Sequence, residues 1–494
     1  MLLLGIDVGT SSIKITVADA EKQQPVISVQ YPETEYPIHS PHPGWAEQDP
    51  ELWWEQVQAA IKKANASGLY NSKDIAAIGI SYQMHGLVLI NNLQQTLRKS
   101  IIWCDSRAAE TGEKAFAELG SNYCLTHLLN SPGNFTAAKL AWVKSFEPEI
   151  YQQVHQFMLP GDFIAMKLTG EVTTTPSALS EGIFWDFVNH SISEPLLEYF
   201  GFEKQFFPPV KPVFSNHGFL RKSHAENLGL KPGIPVTYKA GDQLNNALSL
   251  NVLHPGDVAA TAGTSGVIYG VSSTLKYDPE SRVNTFAHIN HTVENPRLGV
   301  LLCINGTGIL NRWAKEITAP NETYHQLNYL AAQAPPGSEG LRVLPFGNGA
   351  ERMLNNKMVG AHYANIDLNI HNRTHFFRAS QEGVAFAFRY GLDFMRENGM
   401  NPKIIRAGSA NMFLSPVFTE TLANVTGVEI ELYNTNGSFG AALGAGIGAG
   451  IFRKPEDAFG LNKSLQKISP SSLSSRYEEY YQEWKQLLLK HKNM

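Results

Sequence analysis

Aliphatic and β-branched residues run through Leu2–Asp7, break at Val8-Gly9-Thr10-Ser11-Ser12, and resume over Ile13–Ala18. Glycine and small hydroxyl residues between two such runs predict a strand, a tight turn and a second strand. From Pro50 to Lys63 the apolar positions Leu52, Trp53, Val57, Ala60 and Ile61 recur at helical spacing, and Ile75–Ile80 reads as a buried strand. Strands alternating with helices continue along the chain, so the fold class is α/β.

The opening pattern returns halfway. Val258–Ala262, then Gly263-Thr264-Ser265, then Gly266-Val267-Ile268 again reads strand, turn, strand. Two such hairpins, each opening about half of the chain, suggest a duplicated domain. The turn residues between Leu248 and Pro255 place the boundary there, giving domains of residues 1–248 and 249–494. Near the end, Gly440, Gly444 and Gly448 fall on one face of a predicted helix. Each glycine costs such a helix about 0.5–1 kcal/mol relative to alanine, so the bare face must pack closely on something. A nucleotide, the other domain and an ordinary neighbouring helix are the candidates.

Composition narrows the partners. Of 494 residues, 43% are hydrophobic and 17% charged, and the net charge of -5 offers no basic stripe for nucleic acid. Three cysteines, widely spaced, make neither a disulfide framework nor a zinc pattern and fit a reducing compartment. No stretch approaches the roughly 18 apolar residues of a membrane span, and Met1-Leu2-Leu3-Leu4 runs into Gly5 without a basic leader. Cytoplasm is the expected location, with no nucleic-acid or membrane partner.

The P-loop, the protein-kinase residues, the Gly-x-Ser-x-Gly elbow and the His-Glu-x-x-His zinc motif are all missing. Nucleotide binding would therefore fall to the Gly-Thr-Ser turns. Such turns align backbone N–H groups into an anion-binding concavity, and Thr10, Ser11, Thr264 and Ser265 add hydroxyl donors beside Gly9 and Gly263. Asp7, at the end of the first strand, would repel phosphate unless a cation intervened, so it is a candidate to hold Mg²⁺ through water. Its alternative is a turn-capping role. Asp242 follows Gly241 at the start of a predicted helix, where an acidic residue serves either as a helix cap or as a general base.

Gly5-Ile6-Asp7-Val8-Gly9-Thr10-Ser11, Gly241-Asp242, Gly263-Thr264-Ser265-Gly266 and the glycine/alanine-rich tail, in that order, resemble the FGGY carbohydrate kinases. Thr136–Val143 is similar to that family's first signature, and the stretch from Gly360 to Gly383 to its second. The likeness covers about residues 2–450. Further segments resemble the branch that phosphorylates D-xylulose: His42–Pro50, Gln83-Met84-His85-Gly86, Trp103–Arg107, and Glu351-Arg352 with Asn355-Asn356.

The resemblance implies two actin-like, ribonuclease-H-like domains flanking a deep cleft, with sugar on the N-terminal domain and ATP on the C-terminal one. It implies ATP and Mg²⁺ as cofactors and transfer of phosphate to D-xylulose, Asp242 being the base and Gln243 its sugar-binding neighbour. Met84 and His85 are the expected sugar contacts, His85 as a donor to sugar hydroxyls unless it fills a polar corner. Asp105 reaches the sugar or pairs with Arg107; Trp103 is cleft wall or core. The family's late Gly-Gly-Gly-Ala is here Ala407-Gly408-Ser409-Ala410, and Gly408 and Asn411 are expected at the adenine. Other readings are a gluconate, ribulose or glycerol kinase, or a sugar-sensing actin-like ATPase without phosphotransfer. A homodimer is admitted as an assembly.

Overall fold

The computed structural model describes residues 1–493. Its first sheet has five strands: β1 (Leu2–Val8), β2 (Ile13–Asp19), β3 (Gln24–Tyr31), β4 (Ile75–Tyr82) and β5 (Val236–Gly241). Their spatial order is β5-β4-β1-β2-β3, with β1, β2 and β3 an antiparallel meander and β1, β4 and β5 parallel. The helix α1 (Pro50–Asn65) starts on the Asp49 side chain, which accepts the Glu51 N–H, and buries Trp53, Val57, Ala60 and Ile61. The predicted strand–turn–strand opening and the helix at Pro50 are both present.

The second sheet repeats the plan. Its strands are β6 (Val258–Ala262), β7 (Gly266–Ser272), β8 (Asn284–Ala287), β9 (Leu298–Ile304), β10 (Ile404–Gly408), β11 (Glu429–Tyr433) and β12 (Gln466–Ile468). The order β9-β7-β6-β10-β11 matches that of the first sheet, with β8 and β12 added at the edges. Both hairpins singled out in the sequence lead a sheet of the same topology. The expected α/β fold of two domains is therefore what the chain adopts.

The lobes share a helix. The glycine-rich helix α10 (Gly437–Gly448) follows β11 in the chain but lies against the first sheet. An added Cβ on Gly5 would stand 1.8 Å from the Ser438 carbonyl oxygen, and one on Gly79 2.0 Å from that of Ala441. On the opposite side of this contact, Cβ atoms on Gly440, Gly444 and Gly448 would collide with Ser249, the Tyr238 ring and the Thr237 carbonyl. The Thr237 hydroxyl donates to the Ala445 carbonyl at 2.8 Å. Of the candidate partners for the glycine face, the other domain is the one it meets. A division at residue 248 thus assigns to the second lobe a helix that packs on the sheet of the first.

A second seam joins the edge strand β8 to the first lobe. Asn130 accepts the Thr285 N–H at 3.0 Å and donates to its carbonyl at 2.6 Å. Ser177 and Ser180 bond the Ala287 carbonyl and N–H. Four side-chain bonds replace a neighbouring strand and cap the edge.

Candidate active site

The first turn is fixed from three sides. Gly9 donates to the Ser12 carbonyl at 3.1 Å, closing it. The Thr10 hydroxyl donates to Gln83 at 3.2 Å and accepts from the Trp103 indole at 2.9 Å, while Gln48 donates to the Thr10 carbonyl at 2.7 Å. Gln83 and Trp53 both donate to Gln48, so the support is itself braced. Trp103 is half exposed beside the turn, so it is wall and not core. Gln48 and Gln83 fall within segments already singled out, but their role as turn supports was not visible from pattern.

Asp7 closes β1, and a Cβ on Gly437 would stand 2.5 Å from its carboxylate. The first turn of α10 thus lies against this carboxylate, where the positive end of the helix favours an anion. Burial pushes the Asp7 carboxyl up, with Ser81 and Lys14 acting in the opposite direction. Asp242 opens α5 (Asp242–Ser249), which packs between β4 and β5 on one side and β6 and β7 on the other. Burial first, and the charge of Asp7 second, push the Asp242 carboxyl up to about 7, against the pull of Gln243. Two desolvated carboxylates that repel each other fit a cation that keeps most of its own water. Among the described residues no group of three or more His, Cys, Asp or Glu forms a fuller cage. That donor set suits Mg²⁺ and not a structural metal.

Two residues expected at the sugar, Met84 and His85, follow the end of β4. Met84 is buried against Gly241, immediately before Asp242. His85 adopts a left-handed backbone, φ 62°. Its Nδ1 lies 3.0 Å from the Glu181 carbonyl oxygen, its N–H donates to the Glu181 carboxyl at 3.3 Å, and its own carbonyl accepts from Lys139 at 2.9 Å. A carbonyl can only accept, so Nδ1 carries the proton and Nε2 presents a lone pair. Burial and the nearby Lys139 charge hold the imidazole down to about 3. The expectation of a donor at His85 is corrected: Nδ1 spends its proton on the Glu181 carbonyl, and the free nitrogen can only accept. Glu181 is fully buried, and burial pushes its carboxyl well above the usual range. Lys139 is buried too, lowered by desolvation to about 7. Glu181 sits in a short helix with no distinguishing pattern, and sequence reasoning missed it.

Asp105 takes the other of its two readings. It is fully buried, Arg107 donates to both its oxygens, and Ala46 N–H also donates to it. Arg107 in turn stacks over Trp45, its guanidinium carbon 3.7 Å from the ring centroid. The expected sugar contact at Asp105 is corrected, because both carboxylate oxygens are already engaged out of reach of a ligand. Gln243 follows Asp242 on α5, with a buried Oε1 that has no protein partner.

The second turn opens on a pocket of about 480 Å³ in the second lobe. Gly263, Thr264, Asn411, Asn311 and Arg312 are among its lining residues, the last two from α6 (Gly308–Thr318). Gly308 and Ile309 N–H groups donate to the Gly263 and Thr264 carbonyls, fixing the turn to the helix start. Asn411 amide nitrogen lies 3.6 Å from where a Gly263 Cβ would be. Gly263, Thr264 and Asn411, far apart in sequence, therefore come together. Ser265 and Gly408 stand outside this lining, and Gly408 faces the Thr435 carbonyl.

Two sheets of one topology, sharing a helix and each led by a glycine turn, are the framework of a two-lobed phosphotransferase. The sequence matches the FGGY family of carbohydrate kinases in both parts, the N-terminal domain over residues 2–249 and the C-terminal domain over residues 258–451. It is 29% identical to the xylulose kinase of Escherichia coli (strain K12), an alignment spanning 95% of this chain and 92% of that one. The crystal structure of xylulose kinase from Rhodospirillum rubrum superposes with a TM-score of 0.88 at 27% identity, covering 99% of each chain. Gluconate kinase from Lactobacillus acidophilus shares the fold, with a TM-score of 0.89 at 21% identity over 99% of this chain and 98% of that one. This chain belongs to the FGGY family and is a carbohydrate kinase, a phosphotransferase that acts on sugars with ATP.

Proposed function

We propose that this kinase transfers the γ-phosphoryl group of ATP to D-xylulose, giving ADP and D-xylulose 5-phosphate. The observation that carries the reading is the placement of Asp242 at the start of α5, directly after Gly241, which packs against Met84 and the Glu181 carboxyl, and near enough to Asp7 for that charge to push its carboxyl up. The resemblance to chains named xylulose kinase, across nearly their whole length, supplies the sugar.

Asp242 accepts the proton of the attacking hydroxyl as its oxygen bonds to phosphorus and the bond from phosphorus to the ADP oxygen breaks. His85 Nε2 accepts from a sugar hydroxyl, with Met84, Trp103 and Gln243 shaping the remaining surface. Thr10 and Ser11 from one lobe and Gly263, Thr264 and Ser265 from the other bind the polyphosphate, with Gly408 and Asn411 toward the adenine. Asp7 would hold Mg²⁺ through water, and the bound cation would supply positive charge beside the transferring group. Phosphoryl transfer passes through a loose transition state, so positioning and charge neutralisation supply most of the acceleration.

The test is ADP release in a coupled assay with D-xylulose, D-ribulose, D-gluconate and glycerol. D-Xylulose should give the highest kcat/KM, and D242N should lower kcat about 10²–10⁴-fold while sugar still binds. Best activity on gluconate would remove the xylulose assignment and leave the kinase. An unchanged rate in D242N would remove Asp242 as the base. Sugar binding with no sugar phosphate formed would favour the sensor.

A further inference from the structure

Arg352 takes no part in the machinery described so far. It lies in the loop between strands Arg342–Phe346 and Gly360–Ala364 of the second lobe. That loop is held in place: the Glu351 carboxylate accepts the Asn305 and Gly306 N–H groups at 3.1 and 3.0 Å, and the Asn355 N–H donates to the Arg352 carbonyl at 2.9 Å. From this base the side chain reaches the first lobe. Its guanidinium carbon lies 5.7 Å from the Phe135 ring centroid. Phe135 in turn packs edge-on against His85, ring centroids 4.8 Å apart.

The guanidinium has five N–H donors. Among the described residues its one hydrogen bond runs from Nη1 to the Ser281 carbonyl, at 3.3 Å, and no carboxylate pairs with it. Arginines whose side chains are enclosed have their counter-charge: Arg107 holds Asp105 at 2.7 Å, Arg378 holds Glu382 at 2.8 Å, and Arg98 holds Glu147 at 2.9 Å. Arg352 is part-buried and its unpaired nitrogens stay accessible, so a ligand's oxygens can meet them. The neighbouring Phe135 and His85 supply no counter-charge, and the open donors lie beside the His85 cluster.

We propose that Arg352 is a sugar-contacting residue supplied by the second lobe, donating hydrogen bonds to oxygens of the substrate that lies against His85. This rests on the reading that His85 faces the sugar. A bound sugar then bridges the lobes, held by His85 from one and Arg352 from the other. The planar fork favours acceptor oxygens such as the carbonyl of a ketose.

The experiment uses the full chain and the sugar that the wild type phosphorylates best in the panel above, so it survives a failure of the xylulose assignment. R352M should raise KM for that sugar at least tenfold and weaken sugar binding by calorimetry equally, with KM for ATP and the melting temperature unchanged. R352K, which keeps charge and stem but not the fork, should fall between the two. Unchanged sugar affinity in both variants overturns the proposal. So does a loss of kcat at unchanged sugar affinity, which would put the guanidinium on the phosphoryl group. If R352M fails to fold, R352K alone decides on the same two readings. H85A run alongside separates the two ideas: unchanged sugar KM there, with a raised KM in R352M, removes the His85 reading and keeps Arg352.

Discussion

Nδ1 of His85 donates to the backbone carbonyl of Glu181 at 3.0 Å, while the His85 N–H donates to the carboxyl of the same residue. One buried residue thus fixes both the unusual backbone and the tautomer of its partner. Because burial holds the imidazole at about 3, His85 is neutral throughout the range in which the enzyme is assayed. The KM for sugar should therefore show no histidine limb between pH 5 and 8. H85A should raise it about tenfold, the loss of one hydrogen bond to a buried partner, and H85Q, which keeps an acceptor near the Nε2 position, should raise it less. A limb near pH 6.5 in the wild type that disappears in H85A would show that His85 takes up a proton.

Gly437 has a direct bearing on the reaction although it carries no chemistry. Its Cα faces the Asp7 carboxylate so closely that a methyl group would stand 2.5 Å from an oxygen. G437A should displace that carboxylate by a fraction of an ångström to an ångström and lower kcat by about 10–100-fold, since misplacement on that scale costs up to about 10² in rate. Far-UV circular dichroism and ATP affinity should be near wild type. Full activity in G437A would mean that Asp7 is free to move without cost.

The close contact between α10 and the first sheet predicts a purely structural effect. Gly79 has Ala441's carbonyl oxygen 2.0 Å from its virtual Cβ, a backbone atom that cannot turn aside. G79A should cost at least about 3 kcal/mol, the upper end of the usual overpacking range, read by denaturant unfolding. Alanine at Gly229, whose nearest neighbour is 3.6 Å away on a flexible Asn65 but whose φ is 70°, should cost less, through backbone strain alone.

What was legible in the sequence was local. The two hairpins were readable because glycine and hydroxyl residues interrupt apolar runs, and the interruption is itself the turn. The glycine face of α10 was readable as a demand for close approach, while its partner was not, because Thr237 and Tyr238 lie some 200 residues away along the chain. Met84, His85, Trp103 and Asp242 were reached through resemblance in short segments, and the structure gathers them at the ends of β4 and β5. Glu181 and the orientation it imposes on His85 were invisible: a glutamate closing a six-residue helix looks like any surface residue until the fold buries it. Asp105 stayed between two roles because a carboxylate two residues before an arginine satisfies a pair as readily as a ligand, and only burial favours one of them.

Two buried histidines outside the proposed machinery make the fold acid-sensitive. His217 bonds the Thr173 hydroxyl at Nδ1 and the Val213 carbonyl at Nε2; His288 bonds the Tyr269 hydroxyl at Nδ1 and the Val252 carbonyl at Nε2. Burial first, and nearby positive charge, hold them at about 2 and about 3. In the unfolded chain each takes up a proton near pH 6.5, and in the folded chain neither does until far lower. Below pH 6.5 the unfolded state therefore binds more protons, and stability falls as pH falls. At pH 5 each histidine should have removed about 2 kcal/mol of the stability present at pH 7, a figure set by the unfolded value alone. Glu181, whose carboxyl is raised by burial, works in the opposite direction, so the total change mixes signs, and the variant isolates one contribution. Denaturant unfolding of H217Q at pH 7 and pH 5 should show a loss smaller than that of the wild type by about 2 kcal/mol. Equal losses would mean that His217 is protonated inside the folded protein, against the packing that encloses it.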